Sequence, residues 1–191
     1  PLHHYADKFF NFIKTFNPAI NLSDLYNLFK GIDNKTLEID KNLYNLKLIY
    51  NSKGQNIKDE KLLSEVDKFN ELYGYRLVGF DLSDQIWIND RSIILNLIKN
   101  WPISVFENKI SQINDSDRKF YFKNLVSSVT NKEDESKIHE MYSVLSQIWY
   151  LKEDHSFYID QYSNALISLA FLKLGDILVT KGLIENNSDI F

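Results

Sequence analysis

Cysteine is missing from the chain, which excludes a disulfide framework, a thiolate nucleophile and a cysteine-built zinc site. Glycine and proline are scarce, six and three in 191 residues, so each one present is informative about where a helix stops. Apolar runs that approach the ~20 residues of a bilayer span are lacking, and Pro1-Leu2-His3-His4 does not read as a signal peptide. Clustered positive charge is lacking too. With 22 Lys and Arg against 26 Asp and Glu the net charge is −4, and the scattered cations leave no electrostatic footprint for nucleic acid or an anionic membrane. No Walker-type loop, Gly-x-Ser-x-Gly elbow or His-Glu-x-x-His helix occurs, so the chain has no nucleotide site of its own. The expectation is a cytoplasmic protein that engages neither nucleic acid nor membrane.

What is present is a high aromatic share, 14% of residues, and apolar residues at helical spacing almost throughout, as in Phe9, Phe12, Ile13 and Phe16. The expected fold is all-α, an irregular multi-helix domain over residues 1–191. Pro18 limits the first helix. A second starts after Ser23, a suitable N-cap, and stops at Gly31. A third runs from Thr36 to Ser52, and Leu62, Val66, Phe69 and Leu72 mark a fourth that closes at Gly74. Periodicity fails from Tyr75 to Asn89, which reads as an ordered loop. Helical pattern resumes at Asp90, breaks at Trp101-Pro102 and restarts behind a cap at Asn114-Asp115-Ser116. From Asn131 to Gly175 no Gly or Pro intervenes, and a break is expected near Lys152-Glu153-Asp154. A chain ending on Ile190-Phe191 reads as a fragment of a larger multidomain enzyme.

The stretch from Lys152 to Tyr162 is the richest in chemistry. On a 100° wheel Glu153 and Asp160 fall within about 20° of each other but His155 points away, so a metal site on this helix alone does not follow. A different set shares one face: Asp154, His155, Tyr158, Gln161 and Tyr162, continued by Ala165, Leu169 and Leu172. Such a stripe suits a helix whose first turns line a cleft and whose later turns enter a core. The alternative is a capping Asp154, a half-buried His155 and core tyrosines. Lys152 near a helix start can hold a phosphate or carboxylate, or pair with Glu153. In the Tyr75–Asn89 loop, Arg76 can fork onto a carboxylate or phosphate, and Asp81 can equally be its partner. His139, among Glu133, Asp134, Glu135 and Lys137, reads as a surface residue.

Three blocks in this order resemble the region between the ATP-grasp and phosphohistidine domains of phosphoenolpyruvate synthase-like enzymes, a family that includes rifampin phosphotransferases and phenylphosphate synthases. The first is Asp24-Leu25-Tyr26-Asn27-Leu28-Phe29-Lys30-Gly31 with the helix through Leu43 and Leu46. The second, and most specific, is Phe69-Asn70-Glu71-Leu72-Tyr73-Gly74-Tyr75-Arg76, then Asp81-Leu82 and Trp87 to Asp90. It is similar to the family's Phe-x-x-x-Tyr-Gly-x-Arg loop followed by Asp and Trp-x-x-Asp-Pro, although Arg91 stands where Pro is frequent and Phe80 where an acidic residue is. The third runs from Lys152-Glu153-Asp154-His155 through Gly175-Asp176-Ile177-Leu178 to Gly182-Leu183 and Asp189-Ile190-Phe191. Ser156 occupies the place of a second basic residue that rifampin phosphotransferase-like members carry, so antibiotic phosphorylation is not implied.

The resemblance spans residues from about Ser23 to Phe191. It implies a substrate-side domain that holds a small-molecule phosphoryl acceptor for transfer from a phosphohistidine carried by another domain. ATP and Mg belong to the absent ATP-grasp domain, and no cofactor is expected in this segment. Under it, Lys152, Glu153 and His155 are the catalytic candidates, and Arg76, Asp81, Asp154, Tyr158 and Tyr162 bind substrate, with no metal ligand. The competing reading is a non-enzymatic helical module whose aromatic faces dock a partner protein.

Overall fold

The computed structural model describes the backbone of residues 2–110 and 115–191. Among them the chain is helical apart from its turns and loops, with one isolated antiparallel bridge, Leu77 to Ile86. The all-α expectation holds. Two compact units share the chain: unit 1 is built from residues up to Leu37 and from Ile110–Glu153, and unit 2 from Glu38–Lys109 and Asp154–Phe191.

Unit 1 contains α1 (Leu2–Lys14), α2 (Leu22–Asn27), the start of α3 (Lys35–Ser52), α7 (Asp115–Val126), α8 (Lys132–Ile148) and most of α9 (Tyr150–His155). Its core gathers Phe9, Ile13, Leu28, Phe29, Phe122, Ile138 and Leu145. Trp149 stacks on Phe29 with centroids 4.1 Å apart, and Phe122 stacks on Tyr142 at 4.2 Å. Each such aromatic face buried contributes about 1.5–3 kcal/mol. Helix α2 is shorter than its apolar pattern suggests. Its start is set by Asn21 rather than Ser23, because Asn21 Oδ1 accepts from the Asp24 N–H (3.1 Å) while Asp24 Oδ2 accepts from the Asn21 N–H (2.9 Å), a reciprocal cap that satisfies two orphan donors. Asn114, expected as a cap, lies outside the described residues. His139 is exposed and meets the edge of Phe122 at 4.8 Å.

Unit 2 contains the rest of α3, α4 (Glu60–Tyr73), the 3₁₀ turn Trp87–Asn89, α5 (Ser92–Asn100), α6 (Ile103–Ile110), a π-helix over Ser156–Ser163, α10 (Asn164–Thr180) and a terminal 3₁₀ turn, Asn187–Ile190. Ile39, Leu43, Leu46 and Tyr50 of α3 face Leu62, Val66, Phe69 and Tyr73 of α4, with Ile94, Ile98, Phe106 and Phe157 completing the core. The spacing of each set by three and four residues is the apolar stripe that makes these segments helical. Asp59 caps α4 by accepting from the Leu62 N–H. Lys47, buried within this core, donates to the Ile98 carbonyl at 2.6 Å and so satisfies an acceptor in the last turn of α5.

The interruption expected near Lys152-Glu153-Asp154 falls just before it: α8 ends at Ile148, and a one-residue turn at Trp149 separates it from α9. Helix continues through α9 and widens into the π-turn, because π geometry absorbs an extra residue without ending the helix. Within the helical run Lys132–Thr180 an 18-residue window reaches mean hydropathy 1.4 with 17% of it buried. By length and composition this run is long and apolar enough to cross a bilayer, where none was expected. Helix α10 instead shows two apolar sides. One, with Ala165, Ser168 and Gly175, is buried. The other presents Leu166, Ile167, Phe171, Leu174 and Ile177 to solvent.

Gly175 touches the terminal turn so closely that a Cβ there would collide with the Asn187 carbonyl. Gly175→Ala should therefore displace residues 187–191 and lower stability by about 1–3 kcal/mol, the cost of overpacking. Urea unfolding and amide exchange at 187–191 measure both effects. Asn70→Ala, which removes the amide joining α4 to the Trp87–Asn89 turn, should lower stability in urea unfolding by about 1 kcal/mol, the net worth of one such bond, since the Trp87 carbonyl keeps the Asp90 N–H as a donor.

Candidate functional site

The loop after α4 is ordered by its own backbone. The Arg76 N–H donates to the Gly74 carbonyl (2.8 Å), the Val78 N–H to Gln85 (2.8 Å) and the Trp87 N–H to Arg76 (3.0 Å), which folds residues 75–88 back on themselves. Asn70, buried at the end of α4, then fastens the returning arm by donating Nδ2 to the Trp87 carbonyl at 3.0 Å and to Ile88 at 3.4 Å. This lock seats the Arg76 guanidinium 4.4 Å above the Trp87 ring, a cation–π contact. Burial lowers the Arg76 pKa while the Asp40 carboxylate opposes the shift, and a guanidinium keeps its charge under such perturbation. Arg76 Nε and Trp87 Nε1 are both buried donors without an acceptor among the described residues.

A second polar group lies in the same unit. The Tyr73 hydroxyl donates to Glu38 Oε1 at 2.6 Å, and Asn42 Nδ2 reaches both the Tyr73 oxygen (3.3 Å) and the Glu38 carbonyl (2.8 Å). Tyr73 is 6% exposed whereas Glu38 is exposed. The Tyr73 pKa is pushed up to about 12, first by burial, then by the hydrogen bond and charge of Glu38, with a contribution from Tyr158. Glu38 carried no signal in the sequence. Only its i,i+4 spacing to Asn42 was visible there, and its partner lies 35 residues away on another helix.

The π-turn changes which residues of the Asp154–Tyr162 stretch face inward. A π-turn carries more residues per turn than an α-helix, so the stripe drawn on a 100° wheel does not hold through it. Phe157 and Gln161 are buried, followed by Ala165 and Ser168, while Tyr158 and His155 are exposed. Gln161 Oε1 is buried with no donor among the described residues. Tyr162, half-buried, meets Tyr75 of the loop at 5.4 Å and Phe157 at 6.4 Å. His155 Nδ1 lies 3.9 Å from Asp160, and Asp154 is half-buried. Unit 2 thus brings Arg76, Tyr158 and Tyr162 into one aromatic-lined neighbourhood with Tyr73, Trp87 and Glu38.

Asp81 is exposed, and its carboxylate accepts from the Ser83 N–H (2.9 Å) and hydroxyl (2.7 Å), which holds its pKa below the ordinary carboxylate value. Its role in the fold is to shape the loop tip. Lys152 and Glu153 belong to unit 1, 3.9 Å apart, with the Lys152 ammonium 5.0 Å over the Tyr26 ring. A concavity of about 240 Å³ in unit 2 is lined by Ser83, Asp84, Asp90, Ser168 and Phe191, and one of about 250 Å³ in unit 1 by Asn17, Asp24, Tyr121 and Asn124. Neither has Arg76, Lys152 or Tyr158 in its wall.

Because folding raises the Tyr73 pKa, the stability it contributes is whole below the unfolded value of about 10 and is lost as pH rises through about 12. Tyr73→Phe should cost about 1–2 kcal/mol at neutral pH, and the gap from wild type should narrow above about pH 10. Urea titrations at neutral pH and near pH 11 test this, and a gap of constant size contradicts the assignment.

No family model matches the chain, and no solved structure matches it. The chain is similar to a protein of Bacillus subtilis (strain 168) named "Uncharacterized phosphotransferase YvkC", 27% identical in an alignment of 188 residues that covers 87% of this chain and 22% of that protein. The chain therefore spans about a fifth of the length of the curated relative it matches.

Proposed function

We propose that the chain has a phosphotransferase-related role, and that unit 2 is the substrate-binding part of a phosphoenolpyruvate synthase-like enzyme. It holds a phosphoryl acceptor, or a pyruvate-like donor, for exchange with a phosphohistidine carried on another domain. ATP and Mg act on an ATP-grasp domain, in cis or in trans. The observation that carries the reading is Arg76, a half-buried guanidinium packed on Trp87 with a buried Nε–H that no group among the described residues accepts. Such a group is a preorganised partner for phosphoryl or carboxylate charge, and phosphoryl transfer is catalysed mainly by positioning and charge stabilisation. The three ordered sequence blocks and the likeness to a protein named a phosphotransferase support it. Tyr158 and Tyr162 flank the acceptor, and Asp154 and His155 orient it. The site as built stands on unit 2, and Lys152 and Glu153 are described with unit 1.

The interaction-module reading is favoured by a different observation, the solvent-facing apolar side of α10. Exposed patches of this kind mark protein contacts. An ATP-grasp and a phosphohistidine domain encoded alongside this segment support the enzyme, and their absence supports the module.

Arg76→Ala, assayed in the complete protein with both other domains, should slow transfer to acceptor by about 100-fold or more, the usual loss when a charge-stabilising group is removed. Formation of phosphohistidine from ATP should stay within about twofold of wild type. Equal loss of both steps, or of neither, removes the proposal.

A further inference from the structure

We infer that the solvent-facing side of α10 pairs with the same side of a second copy of this chain, helix against helix in antiparallel register. The inference names the occupant of the contact face described above, and the substrate-side reading neither requires nor excludes it. On a 100° wheel Leu166, Ile167, Ala170, Phe171, Leu174 and Ile177 fall within an arc of about 140°, and all six are exposed. Lys173 and Asp176, the two charged residues of α10, lie outside that arc. The buried Ala165, Ser168 and Gly175 lie on the other side of the helix. An apolar arc wider than about 100° belongs to a helix that buries that face. Helix α10 thus has the pattern of a helix packed on two sides, and its own unit covers one of them.

The extent and the order of these residues point to the occupant. Leu166, Ile167, Phe171, Leu174 and Ile177 are each 41–52% exposed, and the Phe191 ring, 46% exposed, lies 6.0 Å from that of Phe171. Together they leave on the order of 500 Å² of apolar surface in water. A standard interface buries about 800 Å² on each partner and is about 65% apolar in homodimers, which amounts to about 500 Å². One such face against its equal therefore supplies the apolar part of a stable dimer. The face is also its own complement. About a twofold axis between Ala170 and Phe171, Ile167 opposes the Leu174 of the second copy and Ala170 opposes its Phe171, so each ring lies over a methyl group rather than over another ring. Every contact then occurs twice, as an isologous interface requires. Antiparallel axes also set the positive end of each helix dipole beside the negative end of the other.

At about 10 µM, where a dimer of micromolar or tighter Kd is mostly assembled, the complete protein should scatter light with twice the mass of one polypeptide. Ile167→Lys and Leu174→Glu each set an unpaired charge against an apolar side chain and should each weaken dimerisation by about 100-fold or more. An equimolar mixture of the two variants brings charges of opposite sign together across the axis and should recover dimers at the wild-type concentration. Phe120→Glu, which adds a charge at an exposed ring of unit 1, should leave the dimer intact. A wild-type monomer overturns the pairing. If Phe171→Glu then lowers the melting temperature of that monomer, another segment of the polypeptide covers the face; if the monomer sediments with phosphatidylcholine vesicles, the face is a lipid contact. Dimers that survive both Ile167→Lys and Leu174→Glu overturn the pairing as well, and a mixture that stays monomeric overturns the antiparallel register. The Arg76→Ala assay reads a different step, so failure here leaves the substrate-side reading intact.

Discussion

The hydrogen bond from the buried Asn70 amide to the Trp87 carbonyl is the constraint on which the site depends. Residues 75–88 contain one isolated bridge and no helix until the Trp87 turn, so the segment has little regular structure to hold its register. A side chain in the last turn of α4 supplies what the loop lacks. With Trp87 held against α4, its ring packs on Phe69 and receives Arg76 on its other contacts. The net worth of one such bond is about 1 kcal/mol, and the Trp87 carbonyl accepts from the Asp90 N–H as well. A loop fastened in this way can carry a half-buried cation at a defined place.

Burying a guanidinium is unfavourable unless its charge and donors are answered. Here the answers are partial: the Trp87 ring supplies a quadrupole, Asp40 supplies opposing charge, and Nε remains unmet. Gln161 Oε1 and Trp87 Nε1 are unmet in the same unit. Folded proteins rarely leave such groups unpaired, and those that remain are concentrated where a ligand or an ordered water completes them. The π-helix belongs to the same pattern. It costs hydrogen-bond quality relative to an α-helix, and proteins tolerate it chiefly at functional sites. In this chain it turns Phe157 and Gln161 inward and leaves Tyr158 outside.

Helix α10 places a different demand on the molecule. Its buried side is shaped for close approach, with Gly175 against Asn187 and the Ser168 hydroxyl donating to the Leu82 carbonyl at 2.6 Å. Asn187 in turn donates to Asp176, and Phe191 lies 6.0 Å from Phe171. The terminal turn thus covers part of the helix, while Leu166, Ile167, Leu174 and Ile177 stay in water. Apolar surface of that extent on one helix is what a protein keeps for a contact.

Much of this architecture was written in local sequence. The apolar spacing of α3 and α4, the stops at Gly54, Gly74 and Gly182, the loop after Tyr75 and the capping Asp59 follow from side-chain chemistry acting over a few residues. The position of Arg76 was legible for the same reason, as a cation in a turn. Three things were not. The Tyr73–Glu38 bond joins residues far apart in the chain, and no local preference encodes a partner on another helix. Asp81, adjacent in sequence to a loop cation, turned to Ser83 because a short side chain reaches its own turn more readily than a distant guanidinium. The π-turn shifted the inward face of the helix beyond Asp154, since periodicity analysis assumes a constant 100° per residue and backbone packing is free to depart from it. Periodicity, caps and turns were thus settled by the amino-acid order alone, whereas the pairing of groups across helices was decided only when the chain closed on itself, because burial and long-range hydrogen bonds exist only in the folded state.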